Sequence, residues 1–258
     1  MQLHGRSAVV AGGAGGLGSA TVRRLAAEGV AAVVLDPDVT RSAALVAQLG
    51  DRVAAVNGES NDDEAVGAAI SEARSLGVFS IAISATGVVI RSPRLVDAER
   101  SPIPKEVLVA NLELHVVGPF NLARLAAAAF ADNEPDDDGQ RGVIVQTASI
   151  SAFDGQVTMV PYAAAKGAIV AMTLPMARDL APIGVRVCAI APGGFMTPRV
   201  SPQAQALLVE DVLFPKRLGR PEEYALLVET IVRNPYLNGE VIRLDGATRL
   251  GPAMGSRR

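Results

Sequence analysis

The stretch that decides the fold is SAVVAGGAGGLGSATVRRLAAEGVAAVVLD, residues 7–36. It begins with an apolar run at 7–12, passes through several glycines, continues as an Ala- and Leu-rich segment of helical period at 17–29, and ends in a second apolar run at 30–36. A strand, a helix and a second strand in this order predict a βαβ unit with parallel strands. Glycines at the start of the helix are typical of a loop that binds phosphate.

The same alternation continues along the chain. It predicts further strands at 52–56, 78–84, 142–149, 184–194 and 239–246, and helices near 62–75, 104–114, 119–131, 161–181 and 221–233. Seven strands, nearly all apolar on both faces, predict an α/β fold with a parallel sheet covered by helices on each side. No shift of composition marks a second domain, so we expect one domain over 1–258. The Pro- and Gly-containing segment at 195–219 is the candidate lid over a substrate.

Composition narrows the function. The chain has 258 residues, 49% of them hydrophobic, and a formal net charge of −3, which allows a large core and argues against nucleic acid or an anionic membrane as partners. We see no apolar run that approaches the ~20 residues needed to span a bilayer and therefore expect a cytoplasmic protein. The lone Cys188 predicts neither a disulfide nor a metal site.

The glycine loop has the spacing G-x-x-x-G-x-G, formed by Gly12, Gly16 and Gly18, with Leu17 inside it. Glycine permits positive φ and lets backbone N–H groups approach a pyrophosphate. The spacing differs from G-x-G-x-x-G, and such a turn can also be a plain connector. Its position between the first strand and the first helix favours nucleotide binding.

Asp36 ends the second predicted strand, twenty residues after Gly16. A carboxylate there can accept hydrogen bonds from a ribose, whereas it would repel a 2′-phosphate. Asp36 therefore favours NAD over NADP, and VLDPDV has no arginine beside it. The alternative is an aspartate that caps a turn before Pro37.

In VPYAAAKGAI (160–169), Tyr162 precedes Lys166 by four residues. By itself, this is more simply a core tyrosine and a surface lysine. Ser149, however, ends a predicted strand thirteen residues before Tyr162, so strand end and helix start meet at one edge of the sheet. A phenol with an ordinary pKa of about 10 exchanges protons poorly near neutral pH unless a nearby ammonium lowers it. We expect Lys166 to do this and Ser149 to orient the substrate oxygen.

The glycine loop, Asp36, the Ser149–Tyr162–Lys166 set and APGG (191–194) together resemble the short-chain dehydrogenase/reductase family over the whole chain. Within it, MTLPMARDLAPIGVRV and NGEVIRLDGATR are similar to the type 2 3-hydroxyacyl-CoA dehydrogenases. The resemblance implies a Rossmann-like doubly wound domain that is usually a homotetramer. Such a domain would oxidise 3-hydroxyacyl-CoA thioesters, and sometimes other secondary alcohols, with NAD.

It also implies residue roles. Tyr162 would be the general base, Lys166 would also bond the nicotinamide ribose, Gly193 would border the nicotinamide and Thr197 would reach its carboxamide. Three positions depart from the family pattern. SATG (84–87) replaces the usual Asn-Asn-Ala-Gly, so Gly87 remains but the asparagine side chains are missing, Glu59 stands where an aspartate near the adenine is usual, and Ala11 replaces a threonine.

The fourth departure is His115, which a gapless alignment puts at the position of the active-site asparagine. It would hold a water in a proton relay, or merely fill a helix kink, and protonation below pH ~6.5 would place a second cation near Lys166. The relay role falls to Asn111 only if four residues are inserted, which we do not favour.

Two other functions stay open: an NADPH-dependent 3-ketoacyl reductase, which Asp36 argues against, and a non-catalytic dinucleotide sensor, which the four departures suggest. In the lid, Arg199, Lys216 and Arg217 either meet CoA phosphates or are solvated charges.

Overall fold

Seven parallel strands form one sheet in the computed structural model, which describes residues 1–198 and 200–253. The strands are β1 (Arg6–Ala11), β2 (Ala31–Leu35), β3 (Val53–Val56), β4 (Val78–Ser84), β5 (Gly142–Thr147), β6 (Val185–Pro192) and β7 (Val241–Leu244). Their order across the sheet is β3-β2-β1-β4-β5-β6-β7, and every neighbouring pair is parallel. The predicted fold class is confirmed, whereas the single-domain extent over 1–258 stays a prediction.

Within the described residues, eight α-helices flank the sheet. They are α1 (Gly16–Ala27), α2 (Val39–Leu49), α3 (Asp63–Leu76), α4 (Glu106–Leu112), α5 (Gly118–Phe130), α6 (Val160–Leu180), α7 (Pro202–Glu210) and α8 (Pro221–Arg233). Helices α2 and α7 are absent from the sequence prediction. Each begins at a side-chain cap, because Asp38 accepts a hydrogen bond from the Arg41 N–H and Ser201 accepts one from Ala204.

The two core layers lie on opposite faces of the sheet. Along β1, Ala8 and Val10 face the layer that contains α1, α2 and α8, while Val9 and Ala11 face the layer of α3, α5 and α6. This alternation explains why the strands are apolar at every position. The strand order reverses between β1 and β4, and a crevice for a ligand is expected at the carboxyl ends of these strands.

Helices α4 and α5 form one helical run, joined by a π-helical segment at Glu113–Val117. The N–H of Gly118 donates to the carbonyl of Glu113, five residues back. Pro119 follows and has no N–H to give to His115, so the regular ladder is interrupted there. The π segment turns His115 into the protein interior.

Helix α6, with 21 residues, is the longest helix among the described residues. With the turn that follows, Val160–Ile183 is long and apolar enough to cross a membrane by length and composition, contrary to the sequence expectation. In the fold it packs on β5 and β6 and contributes Ile169 and Ala177 to the core, as core helices of the same composition do.

Candidate active site

The glycine loop forms a close turn between β1 and α1. Gly12 has φ +70°, and a Cβ there would lie 2.9 Å from the Ala85 carbonyl oxygen. A Cβ on Gly18 would lie 2.1 Å from the Gly12 oxygen, and one on Gly16 would lie 2.9 Å from the Thr197 side chain. Helix α1 begins at Gly16 without a side-chain cap. The loop therefore has both the close approach and the helix N-terminus that an anionic group requires.

A groove of about 720 Å³ runs from this loop along the carboxyl ends of β1, β2 and β4. The predicted cofactor residues that line it are Gly12, Gly16, Leu17, Asp36, Glu59, Gly87 and Thr197. Four other predicted cofactor residues do not line it: Gly18, Gly193, Tyr162 and Lys166. Gly18 packs inside the loop, a Cβ on Gly193 would lie 2.8 Å from the Asp245 Cβ, and a Cβ on the groove residue Gly87 would lie 3.2 Å from Lys166 Nζ. The groove has the position and lining that a dinucleotide needs.

Asp36 is buried in this groove, and both oxygens of its carboxylate accept backbone hydrogen bonds. Its Oδ2 accepts a hydrogen bond from the Ala14 N–H at 3.1 Å, and its Oδ1 accepts one from the Asp38 N–H at 2.9 Å. The turn-capping alternative is thus realised, yet the carboxylate still faces the groove. Sequence reasoning missed Arg41, which lines the same groove from α2 and whose Nε lies 2.6 Å from Asp38 Oδ2.

The structure brings Ser149, Tyr162 and Lys166 together at the carboxyl end of β5. All three are buried. Ser149 follows β5 and accepts a hydrogen bond from the Ser151 N–H at 3.1 Å, which orients its hydroxyl. Lys166 Nζ donates to the Thr147 carbonyl at 2.8 Å. Thr147 is a further residue that sequence reasoning missed, since a backbone carbonyl leaves no signal in the sequence.

His115 belongs to this set. Its ring packs edge-on against Tyr162, with centroids 5.2 Å apart and planes at 88°. A Cβ on Gly87 would lie 3.2 Å from both His115 Nδ1 and Lys166 Nζ, so the three residues meet at the inner end of the groove. Among the described residues, neither ring nitrogen makes a hydrogen bond of normal geometry. Asn111, by contrast, donates to the Val107 carbonyl of its own helix.

The SATG departure is accommodated by hydroxyl groups. Ser84 Oγ and Thr86 Oγ1 lie 3.0 Å apart, and Thr147 Oγ1 donates to the Ser84 carbonyl at 2.5 Å. These contacts connect β4 to β5 at the edge where an asparagine side chain is missing.

Comparison with known proteins identifies the chain. A family model described as short chain dehydrogenase matches residues 6–207. The chain belongs to the short-chain dehydrogenase family. It is 44% identical over 254 residues to a 3-hydroxyacyl-CoA dehydrogenase type-2 of Homo sapiens, with 97% of each chain covered. The Drosophila melanogaster protein of that name is 41% identical over 248 residues, covering 95% of this chain and 97% of the relative.

A crystal structure of 3-hydroxyacyl-CoA dehydrogenase type-2 from Mycobacterium avium is similar to this fold with a TM-score of 0.93 at 42% identity, covering 96% of this chain and 97% of that chain. The family resemblance is confirmed. As a short-chain dehydrogenase, the chain is an oxidoreductase that interconverts an alcohol and a ketone with a nicotinamide dinucleotide.

Burial controls the electrostatics of this short-chain dehydrogenase. Complete burial lowers the pKa of Lys166 from 10.5 to about 7. Burial also raises the pKa of Tyr162, and the nearby Ser149 hydroxyl opposes that rise. Our expectation that Lys166 lowers the phenol pKa is therefore wrong for the protein without cofactor. The reason is that the amine is directed to Thr147 and is itself costly to protonate.

The expected protonation of His115 near pH 6.5 is also wrong. Burial, and then the charge of Lys166, lower the pKa of His115 to about 3, although the nearby Val88 backbone opposes the shift slightly. His115 is consequently a neutral imidazole, with one donor and one acceptor nitrogen. The helix kink places it in contact with Tyr162, and its relay role stays a prediction.

The candidate lid contains α7. Lys216 and Arg217, for which we expected either CoA phosphates or solvent as partners, both contact groups of the chain itself. The Lys216 ammonium donates to two carbonyls around the end of α7, at 2.9 and 2.8 Å. Arg217 forms a two-point ion pair with Glu223, with distances of 2.6 and 2.8 Å. The contacts of Lys216 lie within the candidate lid, whereas the ion pair of Arg217 connects it to α8. Arg199 lies outside the described residues.

Proposed function

We propose that this chain is an NAD-dependent dehydrogenase that interconverts a 3-hydroxyacyl-CoA and a 3-ketoacyl-CoA. The observation that carries the proposal is the convergence of Ser149, Tyr162 and Lys166 at the inner end of the glycine-lined groove. The names of the relatives described above support the substrate class.

In the oxidation, the Tyr162 phenolate takes the proton of the substrate hydroxyl, and in the reverse direction the phenol returns it to the carbonyl oxygen. Gly12, Gly16 and Asp36 would hold a nicotinamide dinucleotide in the groove, where its oxidised ring would supply the hydride acceptor. The positive charge of that ring would oppose the burial that raises the pKa of Tyr162 in the cofactor-free protein. Ser149, whose hydroxyl is oriented by the Ser151 N–H, donates a hydrogen bond to the same substrate oxygen.

Lys166 and His115 pass on the proton that Tyr162 takes up or releases. With a pKa of about 7, Lys166 exchanges protons readily near neutral pH. The neutral His115 beside it can hold a water through either ring nitrogen, in the role for which the family uses an asparagine. Gly87 leaves the space in which these two side chains meet.

Asp36 supports the choice of NAD, because it lines the groove at the end of β2, where an adenine-side ribose would lie, and its carboxylate would repel a 2′-phosphate. Arg41 in the same groove is the specific observation in favour of the second candidate, an NADPH-dependent 3-ketoacyl reductase. Its guanidinium is held by Asp38 and so contributes little free positive charge there.

The test is the decay of NADH and NADPH absorbance with acetoacetyl-CoA, in the protein and in Tyr162→Phe. We expect turnover with NADH that falls at least 100-fold in Tyr162→Phe, the scale of a lost general acid. Tyr236→Phe is the matched control, since Tyr236 is 96% exposed and should retain full activity. Faster turnover with NADPH would favour the reductase. Binding of NADH without Tyr162-dependent turnover of any 3-ketoacyl-CoA would instead favour the non-catalytic sensor.

The homotetramer and the cytoplasmic location are parts of the same proposal. Large apolar side chains are exposed on two helical faces and would be covered by further copies of the chain: Val109, Val117, Phe120 and Leu174 on α4 to α6, and Leu226 on α8. The buried, unpaired Cys188 fits a reducing compartment. Light scattering in solution and cell fractionation test these two points.

A further inference from the structure

The guanidinium of Arg243 contacts two carboxylates, a backbone carbonyl and an aromatic ring. Arg243 lies in β7 with a side chain that is 20% exposed. Its Nε donates to Asp245 Oδ2 at 2.8 Å, and its Nη2 donates to Asp154 Oδ2 at 2.6 Å and to the Thr248 carbonyl at 2.8 Å. The guanidinium carbon also lies 5.3 Å from the centre of the Phe153 ring, within cation–π range.

One of these partners, Asp154, belongs to a segment that connects two candidate catalytic residues. Asp154 lies between Ser149, at the end of β5, and Tyr162, in the first turn of α6. The same segment is held to the chain end beyond β7, because the Val157 N–H donates to the Pro252 carbonyl at 2.9 Å. Arg243 thus helps to fix the spacing of the serine and the tyrosine.

The other carboxylate partner, Asp245, lies where two other segments meet. Its Cβ would be 2.8 Å from a Cβ on Gly193, and the Gly193 N–H donates to the Leu244 carbonyl at 3.0 Å. The next residue, Gly246, accepts a hydrogen bond at 3.1 Å from the N–H of Leu213, which lies in the candidate lid after α7. The turn at 245–246 therefore contacts both the PGG turn and the lid.

We infer that Arg243 is a positioning residue, which holds the Ser149-to-Tyr162 segment, the PGG turn and the lid in one arrangement around the substrate. The inference rests on the proposed function for its kinetic consequences. Without the guanidinium, Asp154 would lose its ion pair, and Asp245, whose side chain is only 6% exposed, would keep only the longer ion pair with Arg249 at 3.4 Å. The lowered pKa of Asp154, caused mainly by its hydrogen bond with Arg243, agrees with a strong pairing.

The experiment compares Arg243→Gln, Arg243→Lys and Asp154→Asn, with exposed Arg23→Gln in α1 as the matched control. In the NADH complex, amide hydrogen exchange at Val157 and Leu213 reports the two segments, and β1 amides report global stability. We expect Arg243→Gln to speed exchange at both amides about tenfold, equivalent to about 1.4 kcal/mol, and to leave β1 unchanged. Arg243→Lys, which retains the charge, should restore part of the protection.

Kinetics provide the second readout. We expect Arg243→Gln to raise KM for acetoacetyl-CoA about tenfold, with a smaller fall in kcat and an NADH Kd within about twofold of the unchanged protein. Wild-type exchange at Val157 and Leu213, or equal acceleration in β1, would overturn the inference. So would equal damage from the Lys and Gln variants. If the parent protein turns over no 3-ketoacyl-CoA, the proposed function fails and the exchange data alone decide. If Arg243→Gln does not fold, Asp154→Asn supports the same comparison by removing one partner.

Discussion

Replacing Lys166 by methionine should stabilise the cofactor-free protein while abolishing its activity. Burial lowers the pKa of Lys166 from 10.5 to about 7, which corresponds to an electrostatic cost of about 5 kcal/mol below pH 7. The hydrogen bond to the Thr147 carbonyl, worth about 1 to 3 kcal/mol to a charged donor, offsets part of that cost. Lys166→Met removes both effects, so a net gain of about 2 to 4 kcal/mol is expected at pH 7.

The pH dependence has a defined sign. Between about pH 7 and 10.5, unfolded Lys166 binds a proton that folded Lys166 has lost, so the parent protein gains stability as pH rises. The slope rises from about half of its full value at pH 7 to about 1.4 kcal/mol per pH unit above pH 8, and the advantage of Lys166→Met should therefore shrink by about 2 kcal/mol between pH 7 and pH 9.

Urea unfolding of the cofactor-free proteins at pH 6, 7, 8 and 9 measures this difference. Lys105→Met, at an exposed lysine just before α4, is the control and should follow the parent protein at every pH. An advantage of Lys166→Met that is constant with pH would refute the reasoning, because it would show that the amine is not desolvated. Loss of stability in Lys166→Met at pH 7 would refute it equally.

Three other perturbations test the site. Gly18→Ala places a Cβ 2.1 Å from the Gly12 oxygen and should abolish NADH binding, measured by fluorescence, whereas Gly67→Ala in α3, where a Cβ meets nothing within 4 Å, should bind normally and gain about 0.5 to 1 kcal/mol in urea unfolding. His115→Asn should leave the position of the acid limb of kcat/KM between pH 5 and 8 unchanged, because the pKa of His115 is about 3; a shifted limb means that the imidazole titrates in the active protein. Asp38→Asn releases Arg41 from its ion pair and should tighten NADPH binding about three- to tenfold with little effect on NADH; an unchanged ratio of the two Kd values excludes Arg41 from the choice of cofactor.

The sheet was predictable from sequence because its strands are buried on both faces. Runs such as 7–12 and 78–84 are almost entirely apolar and therefore stand out as strands in the sequence. The glycines and the Tyr162–Lys166 spacing then locate the crevice. The meeting of Ser149 with Tyr162 and Lys166 followed from topology, since parallel strands end at one edge, whereas His115 was found only through the family resemblance.

The parts that were missed depend on tertiary context. Helix α2 buries mainly Ser42 and Leu45, which is too little apolar surface to give a clear helical period. As a result, Arg41 was not expected in the groove. The reversed pKa shift of Tyr162 depends on the depth of burial and on the direction of the Lys166 amine, and neither can be read from a four-residue spacing.

The crowded point below Gly87 limits evolutionary change at the site. A side chain at position 87 would come within 3.2 Å of the imidazole of His115 and of the Lys166 amine. The backbone at position 87 also has φ +143°, which strains any residue other than glycine. A smaller residue at 115 relieves only the contact with the imidazole, because Lys166 and the positive φ remain. A change at 87 is therefore expected to stay damaging in a His115→Asn or His115→Ala background, so that the constraint on this glycine does not depend on the identity of residue 115.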